Sequence, residues 1–236
     1  MKLSALGVLL VILLLTCGSI FAAPQMVLSE SSFDFGFVPQ NSKISHTFWI
    51  KSVGDDDLKI LKVVPGCSCT QAPLKKNEVA VGDSTSLEII FSTKQYKSLV
   101  TKHPKIQTNE GSGDKTLTFV SNVISNPDST YPLIINPFIV NFAQEGDKKN
   151  DNFVVNLTNV TEQDLDIVLI DQPDNIFELK LPEKIKAGQT AKASIKLNDD
   201  AKSLSFEKSI TIGVNDTNKS RFTIPVKQNM SLSKKD

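Results

Sequence analysis

The chain has 236 residues, in which 26 Lys plus Arg balance 26 Asp plus Glu and 40% of positions are hydrophobic. That length suits one large domain or two of ordinary size, and the composition supports packed cores rather than disorder. Without net charge there is no field to steer the protein onto nucleic acid or an anionic membrane, so neither is expected as a partner.

The N-terminus, MKLSALGVLLVILLLTCGSIFAAP, sets Lys2 before an apolar run from Leu6 to Leu15, followed by the small residues Gly18, Ser19, Ala22 and Ala23. This is the layout of a secretory signal peptide over 1–22, with an apolar core shorter than the roughly 20 residues of a spanning helix. Cleavage after Ala22 is preferred because cleavage after Ala23 would put Pro24 just beyond the scissile bond. The alternative is a lipid anchor at Cys17: Leu14-Leu15-Thr16-Cys17 looks like a lipid-attachment box, with Thr16 where Gly, Ala or Ser is usual. No later segment is apolar for long enough to span a bilayer, so a mature protein without a transmembrane segment is expected outside the cytoplasm: in the periplasm, the cell envelope or the medium.

From there the pattern is strand after strand. Ile44, His46, Phe48 and Ile50 alternate with Ser45, Thr47, Trp49 and Lys51, a period of two with one apolar face. Leu58–Val64, Ser86–Phe91 and Lys115–Val120 continue it, and Gly54-Asp55, Gly82-Asp83 and Gly111-Ser112-Gly113 mark turns. Short strands at regular spacing with no helical stripe predict an all-β, sandwich-type fold.

The chain also repeats itself. A shift of 107 positions pairs Phe35 with Phe142, Phe48 with Val155, Ile50 with Leu157, Leu58 with Leu165 and Ile60 with Ile167. After one deletion the shift is 106, and Gly82 meets Gly188, Ile89 meets Ile195, Asn109 meets Asn215 and Val120 meets Val226. The expected organisation is therefore two tandem immunoglobulin-like β-sandwich domains after the signal peptide, at 27–125 and 133–228, with a linker at 126–132 and a tail at 229–236. A residue the fold itself requires should occur in both copies, yet His46 is answered by Phe153, Cys67 by Asp174, Cys69 by Ile176 and Trp49 by Asn156.

The first copy resembles the bacterial family called domain of unknown function fifteen-seventy-three, one of the Hydin-type immunoglobulin-like domains. The resemblance rests on Phe33-Asp34-Phe35-Gly36, His46-Thr47-Phe48-Trp49-Ile50, Gly54 with Leu58-Lys59-Ile60, Gly66-Cys67-Ser68-Cys69-Thr70 and Val79-Ala80-Val81-Gly82-Asp83. It departs at Val81, where the family usually has Pro, and at Lys51-Ser52. The second copy looks like a degenerate tandem relative without the cysteine pair. What the resemblance implies is an exported bacterial β-sandwich with no established activity; related Hydin-type domains are commonly assembly or protein-binding modules.

Cys67 and Cys69 leave three readings open. On a regular strand their Cα atoms would lie about 6.5–7 Å apart, at the upper limit for a disulfide, so a local bridge requires Ser68 to bend the backbone. Two thiolates with an imidazole would suit copper or zinc, with His46 the first candidate third ligand; His103 is expected to face solvent. A redox couple is the third reading, though no helix is predicted to lower a thiol pKa as in the thioredoxin arrangement. Elsewhere the chemistry is sparse. With two histidines on different strands, no Gly-X-Ser-X-Gly elbow and no phosphate loop, an enzyme is not expected and no cofactor is assigned beyond copper or zinc at the thiols. Five Asn-X-Ser/Thr sequons, at Asn156, Asn159, Asn215, Asn218 and Asn229, read as chance in an Asn- and Thr-rich chain, and Gly54-Asp55-Asp56-Asp57 as a solvated turn. Trp49 lies outside the apolar face of its strand and is the candidate for partner binding. The favoured function is thus an exported scaffold or assembly module binding an unidentified protein; the alternative is a metal-binding or redox protein centred on Cys67, Cys69 and His46.

Overall fold

The computed structural model describes residues 22–142, 144–145 and 148–229; nearly all of the signal-peptide segment, Cys17 and most of the tail lie outside the described residues. The first copy contains β1 (Met26–Leu28), β2 (Ser32–Pro39), β3 (Lys43–Ser52), β4 (Leu58–Val64), β5 (Thr70–Gln71), β6 (Glu78–Val79), β7 (Ser84–Ser92), β8 (Ser98–Lys102), β9 (Lys105–Thr108), β10 (Lys115–Thr116) and β11 (Thr118–Ile124). The second contains β12 (Leu133–Asn136), β13 (Val140–Asn141), β14 (Gln144–Glu145), β15 (Lys148–Lys149), β16 (Asn152–Asn159), β17 (Leu165–Asp171), β18 (Phe177–Lys180), β19 (Lys184–Ile185), β20 (Thr190–Leu197), β21 (Phe206–Val214) and β22 (Arg221–Gln228). Between them Asn126 caps a 3₁₀ turn, Pro127–Ser129, by accepting the Asp128 N–H at 3.1 Å. The described residues are all-β, with no α-helix.

Each copy is a two-layer sandwich. In the first, the sheet ordered β1-β3-β7-β5 is backed by β10-β9-β4-β6 and by β2-β11-β8, and Phe35, Phe48, Phe91 and Phe119 fill the space between. In the second, β12-β16-β20-β18 is backed by β19-β17-β21-β22, with Phe142, Leu157, Ile195 and Phe222 between. The alternation on β3 is why it forms: Ile44, His46, Phe48 and Ile50 are buried, whereas Trp49 and Lys51 are exposed.

The repetition in sequence is repetition in register. Lys51 faces Ser84 as Thr158 faces Thr190, Leu58 faces Val79 as Leu165 faces Ile185, and Thr70 faces Phe91 as Phe177 faces Leu197. Asn109 accepts the Lys59 N–H at 2.9 Å, and its counterpart Asn215 accepts the Asp166 N–H at 2.9 Å. Gly82 and Gly188 both stand at positive φ, 85° and 66°, in the turn just before β7 and β20 respectively. Among the sequons, Asn159 is fully buried, its Nδ2 donating to the Gln163 and Ile185 carbonyls.

Sequence periodicity does not reveal how the copies meet. Phe37 of β2 pairs in parallel with Phe222 of β22, so one sheet ordered β19-β17-β21-β22-β2-β11-β8 runs through both copies. The two rings stack with centroids 5.2 Å apart. Residues 126–132 are therefore not the sole connection between the halves.

Candidate functional site at the junction of the copies

The junction is built from motifs that carry the family resemblance. In Phe33-Asp34-Phe35-Gly36, the two rings enter the core, and Asp34 Oδ1 accepts the Gly36 N–H at 2.8 Å. Asp34 pairs with Val120 and Phe37 with Asn122, so Phe35 and Gly36 form a bulge opposite Ser121. Gly36 stands at φ 63°, and a Cβ there would lie 2.0 Å from the Arg221 carbonyl oxygen of β22. Glycine is required because only a bare backbone lets the two strands approach so closely.

Polar groups then cross from copy to copy. Thr223 Oγ1 donates to the Phe35 carbonyl at 2.6 Å. Ser209 Oγ accepts the Ser45 N–H at 2.9 Å and donates to the Ser45 carbonyl at 2.8 Å, covering the edge of β3 beyond the end of β1. Lys208 Nζ donates to both carboxylate oxygens of Glu88, at 2.6 and 2.7 Å, and Lys43 pairs with Glu207.

His46 belongs to this set. Its ring is 6% exposed and stacks on Phe33 at 3.6 Å between centroids. Nδ1 contacts Asp171 Oδ2 at 2.7 Å and Nε2 contacts Glu30 Oε1 at 2.9 Å. Ionised carboxylates only accept, so both contacts are satisfied together when both ring nitrogens carry protons. His46 thus links β3 to the end of β17 across the junction, which explains why the second copy has Phe153 instead.

The metal set expected from Cys67, Cys69 and His46 is not assembled. Both imidazole nitrogens are held by carboxylates, and the two sulfurs are bonded to each other. No group of three or more His, Cys, Asp or Glu among the described residues is arranged to hold a metal ion. The bridge forms because the segment is a turn and not an extended strand. Gly66 adopts φ 86°, the Thr70 N–H returns to the Cys67 carbonyl at 3.2 Å, and the Cα atoms close to 5.2 Å, within the usual range. Cys69 is buried in the core and Cys67 is half-buried. His103 is exposed, near Thr118 Oγ1 at 3.2 Å.

Beside the crossing contacts lies a cleft of about 410 Å³. Trp49, Thr47 and Glu88 line one side, Asp171, Pro173 and Asp174 the other, and Lys75 and Lys208 contribute positive charge. Trp49 is 46% exposed, while its backbone N–H is fixed by Ser29 Oγ at 3.1 Å. Its strand neighbour Ser45, on the same outer face, is covered by β21 through Ser209. Sequence reading identified Trp49 but not the opposite wall at 171–174. The one available signal was that Cys67 and Cys69 align with Asp174 and Ile176, which marks 171–176 as a divergent turn.

Residues 26–123 match the model of the family described as protein of unknown function (DUF1573). The first copy is a domain of that family. The DUF1573 domain therefore contributes the Cys67–Cys69 bridge, His46 and Trp49, and the second copy supplies Asp171, Lys208 and Ser209. No match to this chain was found among curated proteins. Among solved structures, it is similar to a protein of unknown function from Porphyromonas gingivalis W83, at 12% identity over 87% of this chain and 99% of that one, with a TM-score of 0.36. It is also similar to the ASH / PapD-like domain of human CEP192 (PapD-like domain 7), at 7% identity over 44% of this chain and 88% of that one, with a TM-score of 0.37.

Proposed function

We propose that the protein is an exported bacterial binding module of the cell envelope, and that it docks a polypeptide segment in the cleft between its two copies. The observation that carries this is Trp49: a large ring left about half exposed in a cleft whose two walls are joined by the paired Ser45–Ser209 hydrogen bonds. A rigid, partly desolvated Trp is the usual anchor of a protein interface. The lining carries both signs, with Lys75 and Lys208 near Glu88, Asp171 and Asp174, which suits a polypeptide of mixed charge better than a polyanion.

Trp49 is the chain's single tryptophan, so its emission reports this site alone. A photocrosslinking residue placed at Thr47 in the exporting cell should capture a protein, and the crosslinked segment, synthesised as a peptide, should shift Trp49 fluorescence to the blue. Trp49→Ala should weaken binding of that peptide by about 2 kcal/mol or more, roughly 30-fold. A captured peptide that binds Trp49→Ala as tightly as the native protein would overturn the proposal.

A further inference from the structure

We infer that the Cys67–Cys69 bridge is a thiol–disulfide exchange site that delivers its disulfide to a dithiol polypeptide. This activity is separate from docking at Trp49 and rests on different residues.

The bridge is not a requirement of the sandwich. The second copy folds in the same register with Asp174 and Ile176 in place of the two cysteines. A bridge spanning two residues also removes little chain entropy. The surroundings, in contrast, supply hydroxyls to the bridge, and one of them is directed at Cys69 alone. Tyr96 donates its O–H to Cys69 Sγ at 3.5 Å, and Thr70 Oγ1 lies 3.9 Å from the same sulfur and 3.2 Å from Cys67 Sγ. Lys102 Nζ in turn donates to the Tyr96 oxygen at 3.5 Å and sits 4.9 Å from the ring centroid, polarising the phenol as a donor. In the second copy Thr70 and Tyr96 are answered by Phe177 and Lys202, so the two hydroxyl donors vanish together with the cysteines.

This asymmetry assigns the roles. Cys67 is half-buried and Cys69 buried, so an incoming thiolate reaches Cys67 Sγ. The new S–S bond forms there, the Cys67–Cys69 bond breaks, and its electron pair leaves on Cys69 as a thiolate stabilised by the Tyr96 hydroxyl. A leaving thiol of lowered pKa departs faster. The substrate's second thiolate then attacks its own sulfur in the mixed disulfide and expels Cys67. The substrate becomes a disulfide, the protein a dithiol, and the two protons lost by the substrate thiols are balanced by those taken up on Cys67 and Cys69. One disulfide is transferred per chain.

The test uses the oxidised full chain, with reduced glutathione and dithiothreitol as probes and alkylation followed by mass measurement as readout. The bridge should open within minutes at millimolar dithiothreitol, and the trapped glutathione adduct should map to Cys67. Tyr96→Phe keeps the ring that packs 5.7 Å from Phe91, so the fold should persist by circular dichroism. It should slow opening about tenfold, the loss of one hydrogen bond to a developing charge. In the reduced Cys67→Ser variant, the pH profile for alkylation of Cys69 should move upward when Tyr96→Phe is added, and Lys102→Met should move it in the same direction by less. Opening of Tyr96→Phe at the native rate with an unmoved Cys69 profile, or an adduct on Cys69, would overturn the inference.

Discussion

Gly36→Ala isolates the contact that joins the copies. An L-residue at φ 63° costs about 1–2 kcal/mol on backbone grounds alone. The added Cβ would also lie 2.0 Å from the Arg221 carbonyl oxygen and 2.3 Å from its carbon, and main-chain atoms cannot rotate away as a flexible side chain does. Relief requires β2 and β22 to separate. That lengthens the 2.6 Å bond from Thr223 Oγ1 to the Phe35 carbonyl, leaving a buried acceptor short of its partner at about 1–3 kcal/mol, and parts the Phe37–Phe222 stack, worth about 0.5–1.5 kcal/mol. The expected loss is about 3–6 kcal/mol. Gly82→Ala is the control: its φ is 85° but nothing lies within 4 Å of the added carbon, so only the backbone term of about 1–2 kcal/mol applies. Urea titration followed by Trp49 emission measures both, and amide exchange at Phe222 and Thr223 should accelerate only in Gly36→Ala. If Gly36→Ala costs no more than Gly82→Ala, the close approach is not holding the copies together. The sequence agrees with a junction role, since the second copy carries Ala143 at the matching position.

Three further outcomes are expected. Ser209→Ala removes both bonds to the Ser45 backbone and should lower urea stability by about 2–3 kcal/mol; a change below 0.5 kcal/mol, roughly the size of a neutral surface substitution, would show that the β3 edge is satisfied without it. Cys67→Ser with Cys69→Ser should cost about 1.6 kcal/mol, the chain-entropy value for a three-residue loop, and leave the circular dichroism spectrum unchanged; a loss above about 3 kcal/mol would make the bridge a structural necessity. At the exposed cluster around Lys202, hydrogen bonds and charge from that residue hold the Asp151 and Asp199 carboxyls below their usual range, while they push Lys202 up to about 12. The carboxylate contribution is therefore present above the ordinary carboxylate pKa and lost as pH falls through the depressed values, and the lysine contribution is lost as pH rises through about 12. Lys202→Gln should return both carboxyl titrations toward 3.8 by carbon-detected NMR, and unmoved titrations would remove Lys202 as the cause.

The sandwiches were legible because their information is local. The alternation on β3 and the turn glycines Gly82 and Gly188 each act within a few residues, and the 107- and 106-position shifts translate directly into matching strand registers. The bend at Cys67–Cys69 was legible only as a requirement for closure, since Gly66 could serve a turn or an extended approach equally well. The junction was not legible. His46 finds Asp171 at a separation of 125 residues and Ser45 finds Ser209 at 164, and such pairs leave no periodic trace in either strand. His46 was grouped with Cys67 and Cys69 because all three lack a counterpart in the second copy, whereas in the structure its two ring nitrogens meet Asp171 and Glu30 and the sulfurs meet each other.

The divergence between the copies, however, was informative in a way that conservation within one copy is not. Fold-bearing positions such as Ile50 and Leu157, or Asn109 and Asn215, keep their chemistry and their bonds in both halves. Gly36, His46 and Trp49 lose theirs, and all three lie at the junction or its cleft. Cys67, Cys69, Thr70 and Tyr96 lose theirs as a second group, and all four meet at the disulfide. Since the second copy forms the same sandwich without any of the seven, packing does not account for them. What remains for the first group is contact with the other copy and with whatever enters the cleft, and for the second group the chemistry of a disulfide whose leaving sulfur is already supplied with a donor.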